Sequence, residues 1–307
     1  MKGRAQKPER VQRVGALMRR AAIASVSVSL FLVGIKTYAY FSSHSVALLA
    51  SLADSALDLF TSWLNLVAIR QSLTPADAEH RFGHGKAEPL AGLAQGAFIT
   101  ASALFLVIQA VNRIIVPEPI DHSLLALVVM CIAITCAIGL ILYERKVVAK
   151  TGSLAVEADQ THYLADLVTN IGVVVALVLT SELGWTLADP LIALAVAGIM
   201  LFTAVGVGRT SFNQLMDREL PDEERARICR IAQAHTAVRN VHDLKTRMAG
   251  LSTFIQLHLA LDPQMRLAEA HAVSDAVEKA LLEAYPGAEV IIHQDPAGLE
   301  PLPELPN

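Results

Sequence analysis

The sequence predicts a membrane protein of two parts: an all-α six-helix transmembrane domain, then a C-terminal cytoplasmic α+β domain with the ferredoxin-like order αββαβ. Three observations carry this. The 307 residues are 53% hydrophobic and only 18% charged, with a mean hydropathy of +0.46, too apolar for an ordinary soluble protein. The apolar residues gather in six stretches close to the roughly 20 residues that a helix needs to cross a bilayer. From about residue 209 the pattern becomes that of soluble protein, charged and periodic.

The chain begins with a basic tail, about 1–14, and the positive charge runs on into the first helix (Lys2, Arg4, Lys7, Arg10, Arg13, Arg19, Arg20). It is too long and too charged for a secretory signal, and no small-residue cleavage site follows the first apolar run. The transmembrane domain is expected over 15–209, with helices at about 17–40, 45–70, 88–115, 122–146, 153–181 and 187–208. The fifth is the weakest span, because Glu157, Asp159, His162, Asp166 and Asn170 make its first half polar. Positive charge arbitrates the topology. Arg70, Arg81 and Lys86, then Arg145, Lys146 and Lys150, then Arg209 alternate with short connections near 41–44, 117–122 and 182–189 that hold no Arg or Lys. This alternation needs six spans with both termini in the cytoplasm. Lys36 is expected near the outer end of the first span, its ammonium snorkelling to the interface. Gly92 and Gly96 form a small-xxx-small pair suited to close helix packing.

Over about 210–296, helices are predicted at 222–234 and 266–284 and strands at 239–248, 253–262 and 289–294, with a hairpin at Ala249-Gly250. The resulting αββαβ order is that of an open α+β sandwich. Residues 297–307, rich in Pro and Leu, read as a loose tail. Cys131, Cys136 and Cys229 lack metal or redox spacing, so a disulfide framework is not expected.

Ionisable side chains at membrane depth are costly and mark an ion, proton or substrate pathway. Asp54 and Asp58, and His162 and Asp166, are two i,i+4 pairs, each on one helix face. Three carboxylates and an imidazole suit Zn²⁺, and also Cd²⁺, Fe²⁺, Co²⁺ or Mn²⁺. The bland alternative is a polar seam, Asp54 with Asn65 or Asp166 with Asn170, but two such pairs in two spans favour a metal cage. In the connection between spans two and three, Asp77, His80 and His84 read either as solvated loop side chains or as a second, exposed metal site. His242, His258 and His293 fall on the three predicted strands and His271 on the second helix, with Asp295 close by. They read as ordinary histidines or as a third, binuclear site.

The runs LADSALDLFTSW (52–63), HRFGHGKAE (80–88), HYLAD (162–166), LMDRELPDEE (215–224) and IIHQDP (291–296) together resemble the cation diffusion facilitator family, in its bacterial zinc and ferrous-iron efflux (YiiP-like) branch. The resemblance covers about 15–296. It implies a homodimeric metal–proton antiporter, multi-pass in a bacterial inner membrane, with a metallochaperone-like cytoplasmic domain and no nucleic-acid partner. It also implies that Asp54, Asp58, His162 and Asp166 form the transport site. Asp77, His80 and His84 would be the loop site, and His242, His258, His271, His293 and Asp295 a binuclear site at the cytoplasmic dimer interface. Lys86 and Asp217 match an interlocking charge pair. His44, His122 and His235 are left without a role.

Two other classes compete. An intramembrane aspartyl protease also uses buried aspartates, but on separate helices with a GxGD motif, and this chain has no Gly-Asp dipeptide. A membrane-anchored metal sensor or scaffold would have no need of Asp54, Asp58 and Asp166 at membrane depth.

Overall fold

The computed structural model describes residues 9–43, 46–115, 124–183 and 187–298. Two compact units divide the chain, one spanning 14–212 and the other built mainly from residues 213 onward.

The first unit is helical: α1 (Glu9–Ser43), α2 (Val46–Ser72), α3 (Ala87–Ile115), α4 (Leu124–Thr151), α5 (Leu154–Leu183) and α6 (Ala188–Leu215). Five of them contain a stretch long and apolar enough to cross a membrane. The exception is α5, whose first half carries Glu157, Asp159, His162 and Asp166. Large apolar side chains such as Phe31, Phe202 and Val205 face outward, while Ser25, Ser62, Asn65, Gln95, Glu144, Asp159 and His162 are buried. This reversal is what a bilayer solvent demands: apolar groups toward lipid, polar groups satisfied inside.

Local sequence explains how α5 is placed. Gly152, with φ +63, closes α4 in the left-handed conformation that glycine adopts freely, its amide donating to the Val148 carbonyl at 2.8 Å. Ser153 then caps α5, its Oγ accepting from the Val156 amide. Glu88 of α3 accepts from Ser153 Oγ and the Ala155 amide, so a carboxylate sits at the positive end of the α5 dipole. Farther along, Asn65 Nδ2 donates to the Ala155 carbonyl at 3.1 Å, and Gln95 Nε2 to Asp159 at 3.2 Å. The Tyr163 hydroxyl lies within hydrogen-bonding distance of Ser29 (2.5 Å) and Ser62 (3.1 Å). Helix α5 is thus tied to α1, α2 and α3 around its polar half. Asn65 spends its amide on the Ala155 carbonyl, not on Asp54.

The Gly92/Gly96 pair lets α6 approach α3. A Cβ on Gly92 would collide with Ser211 Oγ, and one on Gly96 would fall 3.3 Å from the Ala204 carbonyl oxygen. Lys36 departs from the snorkelling expectation: only 8% exposed, it turns inward because Ser55 Oγ (2.6 Å) and the Ser51 carbonyl (3.0 Å) accept from its ammonium.

The second unit contains α7 (Asp222–Gln233), β1 (Asn240–Ala249), β2 (Ser252–Leu261), α8 (Leu267–Ala284) and β3 (Glu289–Pro296). The sheet order is β1-β2-β3, antiparallel between the first two strands and parallel across the α8 crossover. The hairpin turn is Gly250-Leu251, since Ala249 still pairs with Ser252. Gly250 at φ +57 supplies the positive angle of a II′-type turn. Ile255, Leu257, Leu259 and Leu261 of β2 form the core with Ile228 of α7 and Val273, Val277 and Leu281 of α8. The alternate β2 residues, including His258, point to the opposite sheet face.

Candidate metal centres

In the helical unit, Asp58 of α2 and His162 and Asp166 of α5 offer ligand atoms that all lie within 4.8 Å of one another. His162 Nε2 is 3.2 Å from Asp58 Oδ1 and 3.6 Å from Asp166 Oδ2. His162 is only 5% exposed. Its Nδ1 and Asp166 Oδ2 are buried without a hydrogen-bond partner. Buried donors of this kind call for a cation or a proton, and an N/O set aimed at one point fits a divalent metal. Asp54 lies one turn away on α2 and is not in this group of three. The i,i+4 spacing of 162 and 166 brings α5's two donors together. Only the tie between α5 and α2 brings in the third.

In the connection after α2, Asp77, His80 and His84 also lie within 4.8 Å. Asp77 Oδ1 is 3.4 Å from His80 Nδ1, and Oδ2 is 3.4 Å from His84 Nε2. The segment is a turn, as Gly83 and Gly85 suggest: the Gly83 amide donates to the His80 carbonyl at 2.9 Å, with Gly83 at φ +79. The His80 backbone amide, donating to Asp77 at 2.6 Å, holds that carboxyl below the usual carboxylate range. Asp77 and His80 are exposed, while the His84 ring is largely buried.

The third cluster is made by strand register. His242, His258 and His293 stand directly opposite one another across β1, β2 and β3, so one sheet face presents a row of three imidazoles. Asp295, two residues beyond His293 and therefore on the same face, lies beneath them. Its carboxylate is 3.2 Å from His242 Nε2, 2.7 Å from His258 Nδ1 and 3.0 Å from His293 Nε2. Asp295 is 5% exposed. His271 is elsewhere, exposed on α8 and 3.7 Å from Asp275.

One participant escapes sequence reasoning. Asp243 and Leu244 stand against Leu257 alone, a β-bulge, and Asp243 takes φ +46. This turns its carboxylate to within 3.5 Å of His258 Nε2. The only signal is an Asp directly after a strand histidine, and alternation would have sent it to the opposite face. Glu144, outside these clusters, is fully buried, which its sequence neighbours also do not signal. Asp217 accepts from Arg247 at 3.2 Å. The His235 ring accepts from the Ala237 amide, and His44 and His122 lie outside the described residues.

Comparison with known proteins fixes the family. Residues 22–216 match the cation efflux transmembrane domain, and residues 220–297 match the cation efflux protein cytoplasmic domain. The chain belongs to the cation efflux family, the cation diffusion facilitators. It is 44% identical over 290 residues to the cation-efflux pump FieF of Klebsiella pneumoniae, covering 94% of this chain and 96% of that one. It is 45% identical over 287 residues to FieF of Cronobacter sakazakii, covering 94% and 95%. A solved zinc form of CzrB, a proposed zinc transporter, is 39% identical over 28% of this chain and 98% of that one, with a TM-score of 0.26. The chain is therefore a multi-pass cation efflux transporter, not an enzyme, with a helical transmembrane domain and a cytoplasmic α+β domain. The protease reading falls with this.

Proposed function

We propose that this transporter exports a divalent metal, Zn²⁺ first and Cd²⁺ or Fe²⁺ next, in exchange for protons. One observation carries the reading: Asp58, His162 and Asp166 converge from two helices into one N/O cluster around a buried imidazole inside the transmembrane domain. Asp54, one turn from Asp58, completes the ligand set when α2 shifts or rotates slightly. An imidazole with carboxylates suits Zn²⁺ better than the harder Mn²⁺, and leaves Co²⁺ as a plausible cargo.

Ligands must be deprotonated to hold metal, so protonation expels the ion and metal binding releases protons. An imidazole's reference value of about 6.5 makes His162 the natural titrating member. Alternating access then couples metal leaving outward to protons entering. With six spans, α5 among them, both termini lie in the cytoplasm of a bacterial inner-membrane protein.

The other two clusters are read as accessory sites. Asp77, His80 and His84 would bind metal at the cytoplasmic side. His242, His258, His293 and Asp295 would bind it on the sheet, with His271 contributing from a second copy of the chain in a homodimer. Lys86 and Asp217 are proposed to interlock near the dimer hinge. Metal on the sheet site stabilises the dimer and biases the transport domain by the difference in its affinity for the two states.

The test is pH-gradient-driven flux of Zn²⁺, Cd²⁺, Fe²⁺ and Mn²⁺ in proteoliposomes, measured side by side. Saturable Zn²⁺ flux, lost in Asp58→Ala and Asp166→Ala, supports the assignment. Unchanged flux in either variant removes it. His162→Asp, an all-carboxylate set, is expected to relax discrimination against Mn²⁺.

A further inference from the structure

Lys36 is the one lysine buried among the described residues of the helical unit, and its ammonium is fixed to the face of α2 that carries the transport carboxylates. Its two acceptors, the Ser51 carbonyl and Ser55 Oγ, lie one turn before Asp54 and Asp58 and share their side of the helix. The ammonium is close enough to Asp58, Asp54 and Asp166 for all three charges to act on it. Both acceptors belong to α2, so the ammonium of this α1 lysine is tied to the helix that carries the two aspartates.

We infer that Lys36 is a tethered counter-charge for the transport site, a specificity-determining residue that sets the charge of the cargo and limits how tightly it is held. The inference rests on the transport-site assignment proposed above. Three carboxylates carry three negative charges. Lys36 supplies one positive charge, and a divalent ion bound with a neutral His162 supplies two, so the loaded site is neutral. An uncompensated charge at membrane depth is costly. A divalent ion therefore fits this site, whereas a monovalent or trivalent one leaves a residual charge. Exchange of one divalent ion for two protons keeps the neutrality, with Lys36 as the constant member. The fixed positive charge also repels the cargo, which keeps affinity below what three carboxylates and an imidazole would otherwise reach and so permits release.

The experiment is Zn²⁺ titration calorimetry on the full chain in detergent, in a parent carrying His84→Ala and His258→Ala to silence the loop and sheet clusters. Lys36→Met keeps the length and removes the charge, and Lys36→Gln does so while retaining a donor. Both are expected to bind Zn²⁺ at least about tenfold tighter than the parent, because a nearby like charge has been removed. Lys36→Arg is expected to stay within about threefold, since the charge is kept. That rescue, and the tightening itself, are not what a merely structural lysine would give, because lost packing weakens binding. Unchanged or weaker binding in a folded neutral variant, while Asp58→Ala still abolishes binding, overturns the counter-charge and leaves the transport site standing. A parent whose affinity survives Asp58→Ala overturns the transport-site assignment, and the counter-charge with it.

Discussion

The cluster in the helical unit and the cluster on the sheet use the same donor types, imidazole and carboxylate, but are assembled in opposite ways. On the sheet, His242, His258 and His293 are neighbours because register makes them so, and the backbone ladder would have to break to part them. In the helical unit, Asp58 meets His162 and Asp166 only because α2 packs against α5. A shift of one helix against the other, of the kind transporters use, would open that cluster without breaking a backbone hydrogen bond. The sheet cluster suits a fixed, regulatory metal and the helical cluster suits a cargo that must be released.

The largest effect expected from this contrast is on flux. Removing one partner from a buried charged group costs on the order of 3 kcal/mol, about a hundredfold in affinity. Asp166→Ala should therefore abolish Zn²⁺ transport while leaving metal-dependent hydrogen-exchange protection of β1–β3 intact. Loss of both would mean the two clusters are not separable. His258→Ala is the converse: protection of the sheet by Zn²⁺ should disappear, while flux at saturating metal should fall by less than about tenfold, because a regulatory site acts only through its differential affinity.

A smaller effect tests the bulge. Asp243→Val places a β-branched residue at φ +46, which costs roughly 1–2 kcal/mol. It should lower the thermal midpoint of the cytoplasmic unit, whereas Asp243→Gly should keep the midpoint and lose only the contact to His258. Equal midpoints for the two variants would show that position 243 carries no positive-φ strain.

The smallest effect is in the loop. The His80 amide holds the Asp77 carboxyl below its ordinary value, so Asp77 contributes order above the usual carboxylate range. That order is lost as pH falls through the lowered folded value. The protection factors of the Glu79 and His80 amides, which donate to Asp77, should fall there in the wild type and be near one throughout in Asp77→Ala. A wild-type protection factor that does not change with pH would remove Asp77 as the organiser of the turn.

Much of this was readable from spacing. The six helices, the αββαβ order and the i,i+4 pairs are local patterns, and Gly152 and Gly250 mark the end of α4 and the β1–β2 turn. The strand histidines were readable as strand residues, though not as opposite partners, because register depends on the whole ladder. Three things were hidden for a common reason. Lys36 turns inward only because Ser51 and Ser55 of another helix accept from it. Asp243 joins His258 only because a bulge breaks alternation. Glu144 is buried because Asp159 of α5 and the rest of the bundle close over it. Each depends on tertiary packing that no short window of sequence contains. The departure of Asp54 from the group of three has the same origin, since spacing puts Asp54 and Asp58 on one face but does not set how far α2 is rotated toward α5.

The most direct measurement of the central claim is simultaneous recording of Zn²⁺ and proton movement in proteoliposomes under an imposed Zn²⁺ gradient. Opposite Zn²⁺ and proton fluxes are expected in the wild type, both lost together in Asp58→Ala. Zn²⁺ flux with no proton movement, or coupled flux that survives Asp58→Ala, would contradict it.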